Sequence, residues 1–133
     1  MRFKINLLHF LLITVFLGTS IGLYISNMPR ELVVLTADNF KKQVVDNDRP
    51  VLVAFTADWC PPCQTMKPEL QEFAASTRRA TIGTVNIDTS PGIAAQFGIS
   101  VVPTLIVFRD GKPSHQTSGS KDKSELRQIL FGQ

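Results

Sequence analysis

Residues 51–57 read VLVAFTA, an uninterrupted apolar run that follows the turn-forming segment NDRP at 47–50. A strand that is apolar on both faces is typical of the centre of a parallel sheet, because each of its faces must be covered by another layer. The turn before the run limits it to the length of a strand. The chain is therefore expected to place a sheet between two layers of helices.

The chain from residue 32 onward alternates between strand and helix patterns. Apolar runs at 32–36 and 80–88 predict two further strands. The segment 104–118 predicts an antiparallel hairpin whose turn is an Asp-Gly pair. Helices are predicted, from capping residues, early prolines and amphipathic spacing, at 36–47, 61–77, 90–98 and 121–131. This order predicts an α/β fold with a mixed central sheet, parallel strands plus an antiparallel hairpin, flanked by helices on both faces.

The N-terminal segment differs in kind from the rest of the chain. Residues 5–25 are 21 consecutive residues without Asp, Glu, Lys or Arg. As a helix they would extend about 31 Å, which is enough to cross a hydrocarbon core. We therefore predict one apolar helix before the folded domain, and we divide the chain into a transmembrane anchor or signal segment, 1–28, and a folded domain, 29–133.

Arg2 and Lys4 precede this apolar segment and Arg30 follows it, so the positive-inside rule, with a modest charge bias, predicts that the N-terminus stays in the cytoplasm and the domain lies outside it. Two fates are open. A retained anchor gives a single-pass inner-membrane protein with a periplasmic domain, whereas a cleaved signal peptide releases the domain into the periplasm. The apolar run exceeds the about 7–15 residues of a usual signal-peptide core, and GTS at 18–20 is a weak cleavage site. Both observations favour the anchor.

Charge and cysteine content exclude some classes of function. The net charge is +3 and falls to +1 without Arg2 and Lys4, so the domain lacks the basic excess of a nucleic-acid-binding protein. Two cysteines are too few for a disulfide scaffold. The two histidines, of which His9 lies in the apolar segment, do not complete a convincing zinc site with them. We predict no nucleic-acid partner, no metal and no cofactor.

The two cysteines, Cys60 and Cys63, fall where the central strand ends and a helix begins. Unpaired N–H groups and the positive end of the helix dipole favour a thiolate there, so the pKa of Cys60 is expected to be lowered. Cys63 follows one helical turn later, close enough to attack a mixed disulfide formed on Cys60. The pattern predicts a nucleophile with its own resolving thiol. An inert structural disulfide, a pair of idle buried thiols and half of a zinc site are the other interpretations.

Together with its surroundings, this motif resembles the active site of the thioredoxin family. WCPPC at 59–63 is similar to the family's W-C-x-x-C, and Pro68 matches the proline that kinks the following helix. The segment 85–111, VNIDTSPGIAAQFGISVVPTLIVFRDG, is similar to the family's third strand, short helix and fourth strand. The resemblance covers roughly residues 32–131.

The resemblance implies a role for particular side chains. Cys60 would be the attacking thiolate and Cys63 the resolving thiol. Pro103 falls where the family has a cis-proline, a state of only about 5–6% of X–Pro bonds, which would expose neighbouring backbone to an extended substrate. The apolar surface that would receive the substrate around the cysteines consists of Trp59, Pro61, Pro62, Ile87, Val102 and Gly119.

Two features depart from the family's pattern. Ala54 stands where the family has a buried aspartate, and Thr84 stands where it has the partner lysine, so Cys63 lacks an obvious base and slow resolution of mixed disulfides is expected. The two prolines between the cysteines have no N–H to donate to the Cys60 sulfur. Their presence should raise the pKa of Cys60 above that of glycine-containing versions and make the pair more reducing, unless the rigidity of the dipeptide acts in the opposite direction.

The expected function is that of a thiol–disulfide oxidoreductase that acts on protein disulfides outside the cytoplasm. The reducing direction is favoured, with the oxidase and isomerase directions open. A reductase in that compartment needs electrons from across the membrane, so a membrane-bound thiol donor is an expected partner. The alternative is an adaptor module that holds a client protein with little redox turnover, and Ala54 is the residue that favours it.

Overall fold

The computed structural model describes residues 6–26 and 30–132. Its helices are α1 (Leu7–Ser26), α2 (Ala37–Phe40, continued by a π-helical turn Lys41–Val45), α3 (Pro61–Ser76), α4 (Pro91–Gln96) and α5 (Lys123–Phe131). Its strands are β1 (Val33–Val34), β2 (Val51–Thr56), β3 (Thr81–Asn86), β4 (Thr104–Arg109) and β5 (Lys112–Ser118). The predicted order of strands and helices is confirmed.

The five strands form one sheet in the order β1-β3-β2-β4-β5. β1 and β2 both run parallel to β3, and β4 runs antiparallel to β2 and β5. The predicted mixed sheet is therefore present, with β2, the VLVAFTA run, at its centre. The hairpin turn is Asp110-Gly111, and both residues have positive φ, 50° and 72°. Such a turn matches the twist of the strands it joins.

The core lies on both faces of the sheet because successive side chains of β2 point to opposite sides. Leu52 and Ala54 are buried in a cluster that includes Leu70 and Phe73 of α3 and Leu126 of α5. The other face of β2 is buried in a second cluster under α2 and α4, with Val51, Val53, Phe55, Phe40 and Ile93. The prediction that both faces of the 51–57 run are covered is thus confirmed.

The first helix after the α1 segment differs from the predicted one. The sequence predicts a single helix over 36–47, but the second half of this segment widens into a π-helical turn. The N–H of Asp46 donates to the carbonyl of Lys41 at 2.8 Å, a spacing of five residues. The Lys41 ammonium also binds the Asp46 carboxylate, at 2.7 Å, across the same spacing. The ion pair and the backbone hydrogen bond of the wider turn therefore join the same two residues.

Helix α1 is long and apolar enough, over Leu7–Ile25, to cross a membrane. Its large apolar side chains are 53–75% exposed, so it is not the core helix of a soluble domain. The predicted boundary between 28 and 29 lies outside the described residues, as do Arg2 and Lys4.

The last helix begins with a capping box at Asp122. The Asp122 carboxylate accepts hydrogen bonds from the Glu125 N–H at 2.9 Å and from the Ser124 hydroxyl at 2.8 Å. The Glu125 carboxylate accepts one from the Asp122 N–H in return, at 2.9 Å. The Glu125 N–H, and then the Ser124 hydroxyl, hold the pKa of Asp122 below its ordinary value of 3.8.

Replacing Asp122 with alanine is expected to lower the melting temperature at neutral pH. Because the folded-state pKa of Asp122 is depressed, the ionised cap contributes stability above the ordinary pKa of 3.8, and that stability disappears as the pH falls through the folded-state pKa. The difference between Asp122→Ala and the parent should therefore shrink in acid, measured by thermal unfolding at both pH values. Asp122→Asn, which also caps a helix well, is the control and should keep most of the stability. An Asp122→Ala deficit as large in acid as at neutral pH would contradict the argument.

Candidate active site

Cys60 lies at the junction of the central strand and the following helix. β2 ends at Thr56, and Cys60 is the N-cap residue of α3, with Pro61 and Pro62 in the first turn. Proline suits this position because the first N–H groups of a helix have no partner within it. The Cys63 N–H donates to the Cys60 sulfur at 3.3 Å, so one backbone donor remains despite the two prolines.

The two cysteines form a disulfide, with their Cα atoms 5.3 Å apart. Each is 3% exposed, and they pack in a small cluster with Ala57. Ile87 and Val102 pack against this cluster, which brings two of the predicted surface residues to the redox pair. Pro61 and Pro62 are exposed beside it.

Trp59 directly precedes Cys60 in the chain and is exposed to solvent. It is 65% exposed, and its place in a substrate-binding surface stays a prediction. Its indole N–H donates to the carboxylate of Asp88 at 2.9 Å, which fixes the ring although one side faces solvent. Sequence reasoning missed Asp88, and only its place in the matched segment 85–111 could have drawn attention to it.

The peptide bond between Val102 and Pro103 is cis, which confirms the expectation for Pro103. β4 begins directly after this bond, and its Thr104 pairs with Phe55 near the end of β2, so the cis bond and Cys60 share one edge of the sheet. The Gly119 N–H donates to the Pro103 carbonyl at 2.9 Å, and Gly119 has φ of +92°, a conformation that favours glycine. The structure thus brings Gly119 beside Pro103.

The positions that depart from the family's pattern lie side by side in the neighbouring strands β2 and β3. Ala54 of β2 pairs in register with Thr84 of β3, and Ala54 is completely buried. Thr84 and Cys63 both line a cavity of about 280 Å³. The polar and charged side chains that line the same cavity are Thr56, Asp58, Gln64, Lys67, Gln71 and Asn86. This cavity was not predicted, because it exists only where α3 and the strand ends meet.

The arrangement can exchange disulfides. A sulfur at a helix N-terminus that accepts a backbone N–H is stabilised as a thiolate, the form that attacks a disulfide. A second sulfur one turn away can close an internal disulfide and release the attacked partner.

Comparisons with known proteins agree with this geometry. The thioredoxin family model matches residues 31–131, which begin after α1. The chain is 44% identical over 97 residues to a thioredoxin of Alicyclobacillus acidocaldarius, covering 72% of this chain and 91% of that protein. It is 40% identical over 97 residues to a thioredoxin of Chlamydia caviae, covering 73% and 93%.

Comparison with solved structures also finds a thioredoxin. A variant thioredoxin from Halobacterium salinarum NRC-1 superimposes with a TM-score of 0.72 at 30% identity, covering 79% of this chain and 92% of that one. Family match, identity, fold and the Cys60–Cys63 pair agree over the same part of the chain. The chain belongs to the thioredoxin family of thiol–disulfide oxidoreductases.

Proposed function

We propose that this chain is a membrane-anchored protein-disulfide reductase whose domain lies outside the cytoplasm. The observation that carries the proposal is the combination of the Cys60–Cys63 pair at the head of α3 with an exposed apolar helix of membrane-spanning length before the domain. The cysteine pair supplies the chemistry, and the apolar helix indicates the location at a membrane. Arg2 and Lys4 before the helix support the proposed location of the domain outside the cytoplasm.

The proposed reaction begins with Cys60. Its thiolate attacks one sulfur of a substrate disulfide, forms a mixed disulfide, and releases the other substrate sulfur as a thiolate that takes a proton from water. Cys63 then loses its proton and attacks the Cys60 sulfur, so the internal disulfide forms and the second substrate sulfur leaves and is protonated. Two electrons and two protons reach the substrate in all.

The proposed substrate surface is the edge around the disulfide. Trp59, Pro61 and Pro62 form its exposed rim, and Val102 and Gly119 flank the cis bond of Pro103. An extended substrate segment would pair with the backbone near Pro103 while its disulfide faces Cys60. We propose protein disulfides as substrates and a membrane-bound thiol protein as the electron donor that reduces the Cys60–Cys63 disulfide after each turnover.

The reduction potential tests the direction of the reaction. Trp59 is the only tryptophan and adjoins Cys60, so its fluorescence should report the disulfide of the full chain in detergent micelles equilibrated with glutathione buffers. We expect a potential of about −270 mV, in the range of thioredoxins. A value between about −180 and −120 mV, the range of isomerases and strong oxidants, would instead assign disulfide donation or shuffling.

Membrane extraction and protease access test the location. The full chain should stay in the membrane fraction after an alkaline wash, at its uncleaved mass, and a protease added outside the cytoplasmic membrane should digest the domain. Recovery of a shorter, soluble product would show that residues 5–25 belong to a cleaved signal peptide. Protection of the domain from the protease would contradict the proposed side.

A further inference from the structure

Four arginines gather at one end of the domain, and we call them the arginine pole: Arg30, Arg49, Arg78 and Arg79. Arg30 and Arg49 line one cavity together with Thr81, the first residue of β3. A guanidinium N–H of Arg49 donates to the Arg78 carbonyl at 3.3 Å. The pole thus lies at the N-terminal ends of β2 and β3.

The redox pair lies at the opposite end of the sheet. β1, β2 and β3 are parallel, so their N-terminal ends share one edge, whereas Cys60 follows the C-terminal end of β2. β2 has six residues, which extend about 20 Å at the usual rise per residue. The arginine pole and the Cys60 sulfur are therefore separated by about 20 Å or more along the strand direction.

The arginine pole carries an excess of positive charge. Arg30, Arg78 and Arg79 are exposed, and 41% of the Arg49 side chain is exposed. The hairpin turn at the same end adds Arg109 and Lys112. The acidic residues at this end are Glu31, Asp46, Asp48 and Asp110. The Lys41 ammonium already binds Asp46 at 2.7 Å, and the Arg49 guanidinium lies 3.9 Å from the Asp48 carboxylate, so Arg30, Arg78 and Arg79 supply the excess. The exposed carboxylates Asp58 and Asp88 lie instead near the redox pair.

The covalent chain places this end of the domain beside α1. Three residues separate Ser26, the last residue of α1, from Arg30. A fully extended chain spans at most about 3.6 Å per residue, so Arg30 lies within about 14 Å of the end of α1. If α1 crosses the bilayer, the arginine pole is the part of the domain nearest to the lipid headgroups.

We propose that the arginine pole rests on anionic phospholipid headgroups and holds the Cys60–Cys63 pair away from the bilayer. This inference rests on the proposed anchoring by α1. Basic side chains near a membrane surface are attracted to anionic lipids, and the short connection to α1 keeps their effective concentration at the surface high. Guanidinium groups also bind phosphate in a bidentate manner.

The proposed orientation restricts the redox partners. A donor or substrate must present its sulfur about 20 Å or more above the headgroups to reach Cys60. A projecting domain or a flexible segment can do so, whereas a dithiol held at the membrane surface cannot. The orientation thus selects among the membrane-bound donors that the proposed function requires.

Energy transfer from Trp59 to dansyl-labelled phosphatidylethanolamine tests the orientation, because Trp59 is the only tryptophan and marks the redox end. The full chain is reconstituted into vesicles of phosphatidylcholine alone or of phosphatidylcholine with phosphatidylglycerol. We expect less transfer in the anionic vesicles, because the bound arginine pole keeps Trp59 far from the surface. The variant Arg30→Gln/Arg78→Gln/Arg79→Gln should restore the transfer seen in neutral vesicles.

A matched variant separates this effect from a general loss of positive charge. Lys67→Gln/Lys121→Gln/Lys123→Gln removes three positive charges elsewhere and should leave the transfer in anionic vesicles low. Circular dichroism of both variants checks that they fold. Equal transfer in the two kinds of vesicle, with the protein still bound to them, would overturn the orientation and leave the anchor intact. Release of the protein from both kinds of vesicle would overturn the anchor and the orientation together.

Discussion

Cys60→Ser is expected to reduce the rate of disulfide reduction to the uncatalysed background, whereas Cys63→Ser should react once and stop. Serine at 60 removes the thiolate that attacks the substrate, and the one cysteine that remains, Cys63, does not occupy the N-cap position where a backbone N–H stabilises that thiolate. With Cys63 replaced, the mixed disulfide on Cys60 has no resolving sulfur. Insulin reduction measures the first effect, and the mass of the trapped complex measures the second.

This pair of variants also separates the enzyme from the adaptor. Both variants keep the exposed Trp59 and the cis bond at Pro103, so each retains the surface that would hold a client. If the cellular process that depends on the client continues with Cys60→Ser, binding alone is the biological role. If that process fails although the variant folds and still binds the client, the role depends on redox chemistry.

Ala54→Asp is expected to accelerate the resolution of mixed disulfides by about 10²-fold, because a positioned general base typically contributes that much or more. Ala54 is buried and pairs with Thr84, which lines the cavity that Cys63 also lines. Burial would raise the pKa of the introduced carboxyl, so that it can accept a proton near neutral pH. A single-turnover assay with a fluorescent peptide disulfide measures the rate of resolution.

The same substitution should lower the free energy of unfolding by about 2–4 kcal/mol, because it buries a polar group among apolar side chains. Since its folded-state pKa would lie above the unfolded value, the loss should be largest at high pH and should shrink as the pH falls. Ala54→Asn is the matched control: it buries a polar group of similar size but has no proton to exchange. Equal resolution rates for Ala54→Asp, Ala54→Asn and the parent would show that a missing base does not limit resolution here.

Much of the fold followed from local patterns. The run at 51–57 predicted the central strand because burial on both faces leaves a continuous apolar sequence, and the Asp-Gly pair predicted the hairpin because its turn requires positive φ at both residues. The prediction that the bond before Pro103 is cis had a different basis. It came from the resemblance to the family, since nothing in the residues VVPT alone distinguishes a cis from a trans bond.

The contacts of the candidate site that were missed are all between segments distant in sequence. The bond between Trp59 and Asp88 joins two loops that only the parallel pairing of β2 and β3 brings together. The cavity beside Cys63 depends on how α3 sits over the ends of those strands. Periodicity and spacing describe one segment at a time, so they do not contain this information.

The two edge strands of the sheet, β1 and β5, are poor templates for pairing with another chain. β1 has only two residues, and β5 carries Pro113 beside a register shift opposite Val107 and Phe108. Proline has no N–H to donate to an added strand. A β-bulge also twists the edge strand, so that it no longer presents a flat surface for strand pairing. If α1 holds the chain in a membrane, as proposed, molecules confined to that plane meet one another often. Edge strands of this kind would then let the protein accumulate at high surface density without edge-to-edge aggregation.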